Sequence, residues 1–222
     1  MSLQIPLFPL RSVLFPGGLL PLQIFEVRYL DMIGRCHAAG TPFGVVCLTE
    51  GDEVRRPAAS TSALPTGDAF AHEAFHLAGT LAHITELTRP QPGLMRIRSH
   101  GGQRFRLTAS HQLPHGLWMG EAELLPDDLA VPVPEDLASW KLRLEEWLAL
   151  LAQRIPDESE RPVQPPYHLD DCGWLANRFA ELLPIEASEK QNLMMLDNPL
   201  LRLELVVDVL EHLDEVRQQG QE

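Results

Sequence analysis

His72-Glu73-Ala74-Phe75-His76 is the stretch of this sequence whose residue types and spacing best match a known reaction. It fits H-E-x-x-H, in which two histidines one helical turn apart hold a zinc ion and the glutamate polarises a water. That chemistry requires a helix. Asp68 could cap one and Gly79 could end it. The flanks argue otherwise: a loop rich in Pro, Ala, Ser and Thr precedes the stretch (residues 50–68), and residues 78–84 read as a strand. In extended backbone the two imidazoles stand too far apart to share one ion. A third ligand, Glu86 or His83, falls at no recognisable metal spacing. We read the match as coincidental and expect no metal; a metal-dependent hydrolase is kept as an alternative.

The other chemical groups are weaker. There is no G-x-x-x-x-G-K-[ST] phosphate loop and no G-x-S-x-G elbow. Both lysines, Lys141 and Lys190, fall in predicted helices. Gly101-Gly102 is too short to cradle a phosphate. Asp170-Asp171 sits at a predicted helix start, where the helix dipole accounts for acids without catalysis. Trp140, Trp147 and Trp174 lie on helical stripes and read as core anchors. Glu26 and Arg28, beside Phe25 and Tyr29, follow a Pro/Gly-rich entry into a short helix. A charge-assisted bond from either to loop backbone is the simplest role for them. No catalytic residue and no cofactor is expected.

The bulk properties narrow the partners. The chain has 222 residues and a net charge of −13, from 31 acidic and 18 basic side chains. Such a surface repels phosphate backbones unless its charge is strongly segregated. Arg96, Arg98, Arg104 and Arg106 are the main basic cluster and read as a solvated sheet face, so no nucleic acid is expected. RNA binding through that cluster is the second alternative. Cys36, Cys47 and Cys172 are odd in number and widely spaced, which fits neither a disulfide framework nor a metal knuckle. They suggest a reducing compartment. Pro6, Pro9, Pro16 and Pro21 break up the N-terminus, so it does not read as a signal peptide. No apolar run reaches the roughly 18 residues of a membrane span. A cytoplasmic location is expected, with no membrane partner.

The elements that must position these residues change character near Pro126. Before it, short apolar runs are broken by Gly and Pro: strands at 5–8, 19–24, 43–48, 78–84 and 118–124. A hairpin of 95–97 and 104–107 turns around His100-Gly101-Gly102, with glycine supplying positive φ. Phe25, Tyr29, Met32, Ile33 and Cys36 share one face of a short helix. Gln91-Pro92-Gly93 is a tight turn. Six or more short strands suggest a small closed or half-closed barrel. After Pro126 the period is helical. One helix follows Pro134-Glu135-Asp136 and stops at Pro156; a second covers about 170–183. A third is capped by Ser188, and a last by Asp197 with Pro199 in its first turn.

Three blocks of the opening carry a resemblance: Ile5-Pro6-Leu7-Phe8-Pro9-Leu10, then Leu14-Phe15-Pro16-Gly17-Gly18, then Leu20-Pro21-Leu22-Gln23-Ile24-Phe25-Glu26-Val27-Arg28-Tyr29. With Gly79-Thr80-Leu81-Ala82-His83-Ile84, Gly101-Gly102-Gln103-Arg104-Phe105-Arg106-Leu107 and Trp174-Leu175-Ala176-Asn177-Arg178-Phe179, the chain resembles the Lon-protease N-terminal, substrate-binding domain family over nearly its whole length. The resemblance implies an α+β protein: a PUA-like β-barrel over residues 1–127 and a helical bundle over 128–222. In full-length Lon this domain precedes an ATPase and a protease; here the chain ends before either would begin. A non-enzymatic, stand-alone module that binds a polypeptide or protein partner is therefore expected, its oligomeric state left open. The expected binding surface is the barrel groove near Phe15, Pro16, Gly17, Gly18, Glu26, Arg28, Gly101 and Gly102, with the loop from Gly51 to Gly67 beside it.

Overall fold

The computed structural model describes residues 3–51 and 73–219. His72 and nearly all of the 51–67 loop lie outside them. The chain forms two compact units, Met1–Asp127 and Asp128–Glu222. The architecture is α+β.

The first unit holds β1 (Leu3–Leu10), β2 (Leu19–Ile24), α1 (Val27–Ala39), β3 (Phe43–Glu50), β4 (Ala74–Gln91), β5 (Leu94–Gln112) and β6 (Trp118–Leu124). The six strands form one sheet in the order β2-β5-β4-β3-β1-β6, with a further pairing of β5 to β6. Only β1 and β3 run parallel. The prolines sit where a missing N–H does least harm. Pro6 is paired only with β6, and Pro9 only with β3. Pro21 lies in β2, which among the described strands pairs with β5 alone. One core cluster packs Tyr29, Met32, Ile33 and Cys36 of α1 against Phe8, Ile24, Phe43, Val45 and Ile97. Phe8 stacks on Tyr29 at 4.0 Å between ring centroids. A second cluster joins Ile5, Leu7, Val46, Leu81, Phe105 and Leu107.

The expected hairpin at Gly101-Gly102 is absent. β5 runs unbroken from Leu94 to Gln112, and the chain reverses at Gly93, whose φ of 77° suits the turn. Gly101 has no positive φ. Its function is close approach: a Cβ there would stand 2.1 Å from the Phe15 carbonyl oxygen. The Gly17 N–H donates to the Gly101 carbonyl at 2.7 Å, and the Gly101 N–H donates to the Gly18 carbonyl at 2.8 Å. The two arms of β5 looked like separate strands because they serve different partners. The first pairs with β2 and the second with β6.

The second unit holds α2 (Ala138–Arg154), α3 (Cys172–Leu182), α4 (Ala187–Met195) and α5 (Pro199–Gln219). Trp140, Leu144 and Leu148 of α2, Leu175 and Phe179 of α3, and Leu203, Val206 and Leu210 of α5 are buried. Trp140 and Trp147 both meet Phe179 edge-on, at 6.0 and 5.6 Å. Asp171 caps α3 by accepting from the Trp174 N–H. Two expected caps shift by a residue or two. α4 starts from a capping box of Glu186 and Glu189 rather than from Ser188. Asn198, not Asp197, accepts from the Leu200 and Leu201 N–H groups at the start of α5. Arg202 is 1% exposed and holds the unit's polar centre. It makes two bonds to Asp128, at 2.5 and 3.1 Å, one to Asn177 Oδ1 and two to the carbonyls of Leu193 and Leu196.

Two substitutions test this arrangement. Gly101→Ala meets backbone that cannot step aside and should cost at least about 1–3 kcal/mol. Gly102→Ala meets the exposed His83 ring, which can rotate away, and should cost less. Urea midpoints at constant slope would rank the two. Arg202→Ala removes the donor that Asp128, Asn177 and two helix-end carbonyls share. It should destabilise the second unit by roughly 3–5 kcal/mol, read as loss of helical circular dichroism at lower temperature.

Candidate functional site

The described part of the H-E-x-x-H stretch, residues 73–76, is not helical. Ala74 opens β4, and His76 lies within that strand. Glu73, just ahead of it, is 7% exposed. Its Oε2 accepts from the Trp118 indole N–H at 2.6 Å, and its Oε1 accepts from Arg28 Nη2 at 3.5 Å. Phe75 meets Trp118 edge-on at 5.2 Å. Among the described residues no three His, Cys, Asp or Glu side chains gather as metal ligands. Burial pushes the thiols of Cys36, Cys47 and Cys172 up from their ordinary pKa, away from thiolate reactivity.

Glu73 is one arm of a network centred on Arg28, a residue only 6% exposed. Arg28 Nε donates to Glu26 Oε2 at 3.1 Å, and Nη1 donates to the Gly116 carbonyl at 2.8 Å. The guanidinium carbon lies 4.4 Å from the centre of the Tyr29 ring. The bond from this Glu26/Arg28 pair to loop backbone thus exists, at Gly116 in the β5–β6 turn. Glu26 precedes α1 without capping it by a side-chain bond, since its carboxylate faces Arg28. The network ties the start of α1 to the β5–β6 turn and to the entry of β4. Nothing in the sequence links positions 26, 28, 73, 116 and 118, so the fold alone reveals it.

The other expected binding residues form a second cluster. Phe15, Gly18 and Gly101 are buried, while Pro16 and Gly102 are half-buried and Gly17 is exposed. The cluster is a backbone joint between the 15–18 turn and mid-β5, and it offers solvent mainly Pro16 and Gly17.

Open surface lies beside the Arg28 network. Phe25 stands outside α1, not on its buried face as its spacing suggested, and is 52% exposed; Val27 is 80% exposed. A shallow cleft of about 100 Å³ between Phe8, Leu22, Phe25 and Tyr29 adjoins them. It shares Leu22 and Gln23 with a larger cleft of about 440 Å³ on the β2-β5-β4 face, lined also by Pro21, Glu86, Arg96 and Arg98. The four arginines of the basic cluster do not act together. Arg104 is 3% exposed and turned to the Pro126 carbonyl, whereas Arg96 is exposed and Arg98 pairs with Glu86 at 3.7 Å. Charge is nevertheless segregated. Residues 128–222 hold 20 of the 31 acids and 8 of the 18 bases, a net −12, which leaves −1 for residues 1–127.

Comparison with known proteins places this architecture. The chain is 27% identical to a Lon N-terminal domain protein from Xanthomonas campestris, whose crystal structure superposes with a TM-score of 0.67 over 93% of this chain and 98% of that one. The N-terminal domain of a Mycobacterium avium complex Lon protease shares the fold, with a TM-score of 0.56 at 13% identity over 93% and 97% of the two chains. In sequence the chain is 25% identical to Lon protease 1 of Myxococcus xanthus over 95% of its length, and 23% identical to Lon protease 2 of Desulfotalea psychrophila over 92%. It spans about a quarter of each of those relatives, 24%. The model of the ATP-dependent protease La (LON) substrate-binding domain matches residues 4–212, almost the whole of both units. On that match the chain belongs to the Lon substrate-binding domain family.

Proposed function

We propose that the chain is a recognition module for polypeptides, binding an unfolded segment or a protein partner without performing chemistry on it. The observation that carries this reading is the exposure of Phe25, which lines an apolar cleft, and of Val27 two residues on, flanking Glu26 of the buried Arg28 network. Large apolar side chains held out on rigid backbone are what a transient polypeptide site requires. Membership of a family described as substrate-binding supports the same reading. The engagement of Glu73 with Trp118 and Arg28 supports a structural rather than a catalytic role for that carboxylate.

The finer points belong to the same proposal. The β5–β6 pairing, which gives β5 a partner at the far end of the strand order, favours describing the sheet as a PUA-like barrel. Pro16 and Gly17, with Gly101 and Gly102 behind them, would extend the binding surface along β2. A cytoplasmic location agrees with three free, buried cysteines and with the lack, among the described residues, of a helix long and apolar enough to cross a membrane.

Phe25→Ser and Val27→Ser should each weaken binding of a reduced, carboxymethylated unfolded protein by roughly tenfold, the worth of one partly buried apolar side chain. Fluorescence anisotropy would measure it, with circular dichroism as the check on folding. Unchanged affinity in the double variant would remove this surface from the reading. Glu73→Ala should lower stability by about 1–3 kcal/mol, because Trp118 and Arg28 each lose an acceptor. Glu73→Gln, which keeps an acceptor oxygen, should lose less. Stoichiometric zinc in the purified protein that vanishes when His72 and His76 are both replaced by Ala would restore the hydrolase alternative instead.

A further inference from the structure

We propose that the outer face of β2, β5 and β4 selects acidic extended polypeptide, with Arg96 and Arg98 as the groups that read carboxylates. This rests on the polypeptide reading above and names its preferred substrate chemistry.

The strand register sets the face out in rows. Gln23, Arg96 and Thr88 stand side by side across the three strands. The next row is Pro21, Arg98 and Glu86, and the next Leu19, His100 and His83. Alternation sends Ile97 and Ser99 into the core and leaves Arg96, Arg98 and His100 in line on the other side of β5. The first two rows line the 440 Å³ cleft.

Three facts favour a carboxylate there. Arg96 is exposed and has no carboxylate partner among the described residues, although the chain carries 31 acids against 18 bases. Its cross-strand neighbours, Gln23 and Thr88, are neutral hydrogen-bonding groups that can complete the shell of a bound carboxylate. Arg98 has only Glu86, at 3.7 Å and 62% exposed, a pair that solvent screens and a ligand can displace. The nucleic-acid reading loses ground on the same face. The outward row from Arg96 to Arg106 is interrupted by the burial of Arg104, and no exposed aromatic side chain lines the cleft to stack a base.

The test uses the full chain and labelled twelve-residue peptides with alternating apolar and acidic residues, against the same peptides with Asn for Asp and Gln for Glu. The acidic peptide should bind about five- to twentyfold more tightly at low salt, and the difference should shrink as salt rises. Arg96→Gln with Arg98→Gln should reduce its affinity to that of the amide peptide, while Arg106→Gln, on the same strand outside the cleft, should not. Equal binding of acidic and amide peptides would overturn the proposal and leave polypeptide binding standing. Failure of both peptides and of unfolded protein to bind would overturn both readings. Tighter binding of single-stranded RNA at matched ionic strength would overturn it in favour of nucleic acid. Self-association that the arginine variants abolish would overturn it in favour of a second copy of the chain.

Discussion

A guanidinium does not give up its charge at any pH a protein tolerates, so burying one commits the fold to partners. Arg28 is that commitment in the first unit. Its three bonds reach Glu26 beside it, Glu73 at the entry of β4 and the Gly116 carbonyl between β5 and β6. The last two are 45 and 88 residues away in sequence. None of these segments can move alone without stranding a charge in a medium of low polarity. The stretch from Ile24 to α1 would otherwise be a loose entry without a cap; the network makes it rigid. Phe25 and Val27, on either side of Glu26, are therefore exposed without being mobile ends.

The second unit uses the same device. Arg202 takes two carbonyls at the end of α4, Asn177 of α3 and the carboxylate of Asp128. The carbonyls left over at the end of α4 find their donor in the side chain of the next helix. Buried ion pairs are weak sources of net stability, since desolvation offsets most of the Coulomb gain. Their value is that one arrangement satisfies the charge and others do not. Arg28 and Arg202 thus each favour one way for elements distant in sequence to meet within their unit.

Local pattern made much of this legible. Alternation and proline placement marked β1, β2, β3 and β6; helical periodicity marked α1 to α5; the turn at Pro92-Gly93 was read directly. The failures share a cause. Gly101-Gly102 was taken for a turn because glycine in a strand and glycine in a hairpin look alike; only the Phe15 carbonyl, 86 residues earlier in the numbering, explains it. Ser188 and Asp197 are good caps by type, yet Glu186 and Asn198 hold the positions where the chain enters its helices. Phe25 fitted the helical period but stands before the helix begins. The match at residues 72–76 showed how little a short motif says without its backbone: the same glutamate that would polarise a water on a helix clasps an indole at the mouth of a strand. The Arg28 network could not be seen at all, because its members are united by distance in space and by nothing in spacing.

The edge of the sheet limits how a polypeptide can be held. The Gly18–Gly101 hydrogen bond sets the phase of the β2–β5 ladder. With a regular register, Leu20, Leu22 and Ile24 turn their backbone groups toward β5, and Leu19, Pro21 and Gln23 turn theirs outward. Pro21 thus lacks an N–H on the side of β2 that has no neighbouring strand among the described residues. An incoming strand would lose a bond at the middle of a six-residue edge, a common guard against edge-to-edge pairing. Strand addition at this edge is accordingly disfavoured, and on the polypeptide reading side chains on the face would do the work. On the polypeptide reading, apolar contact at Phe25 and Val27 would suit almost any unfolded segment, whereas Arg96 between neutral neighbours and Arg98 beside the exposed Glu86 would discriminate by charge. A module that accepted many chains yet preferred some would need both kinds of contact, and Phe25 and the two arginines line the two clefts that share Leu22 and Gln23.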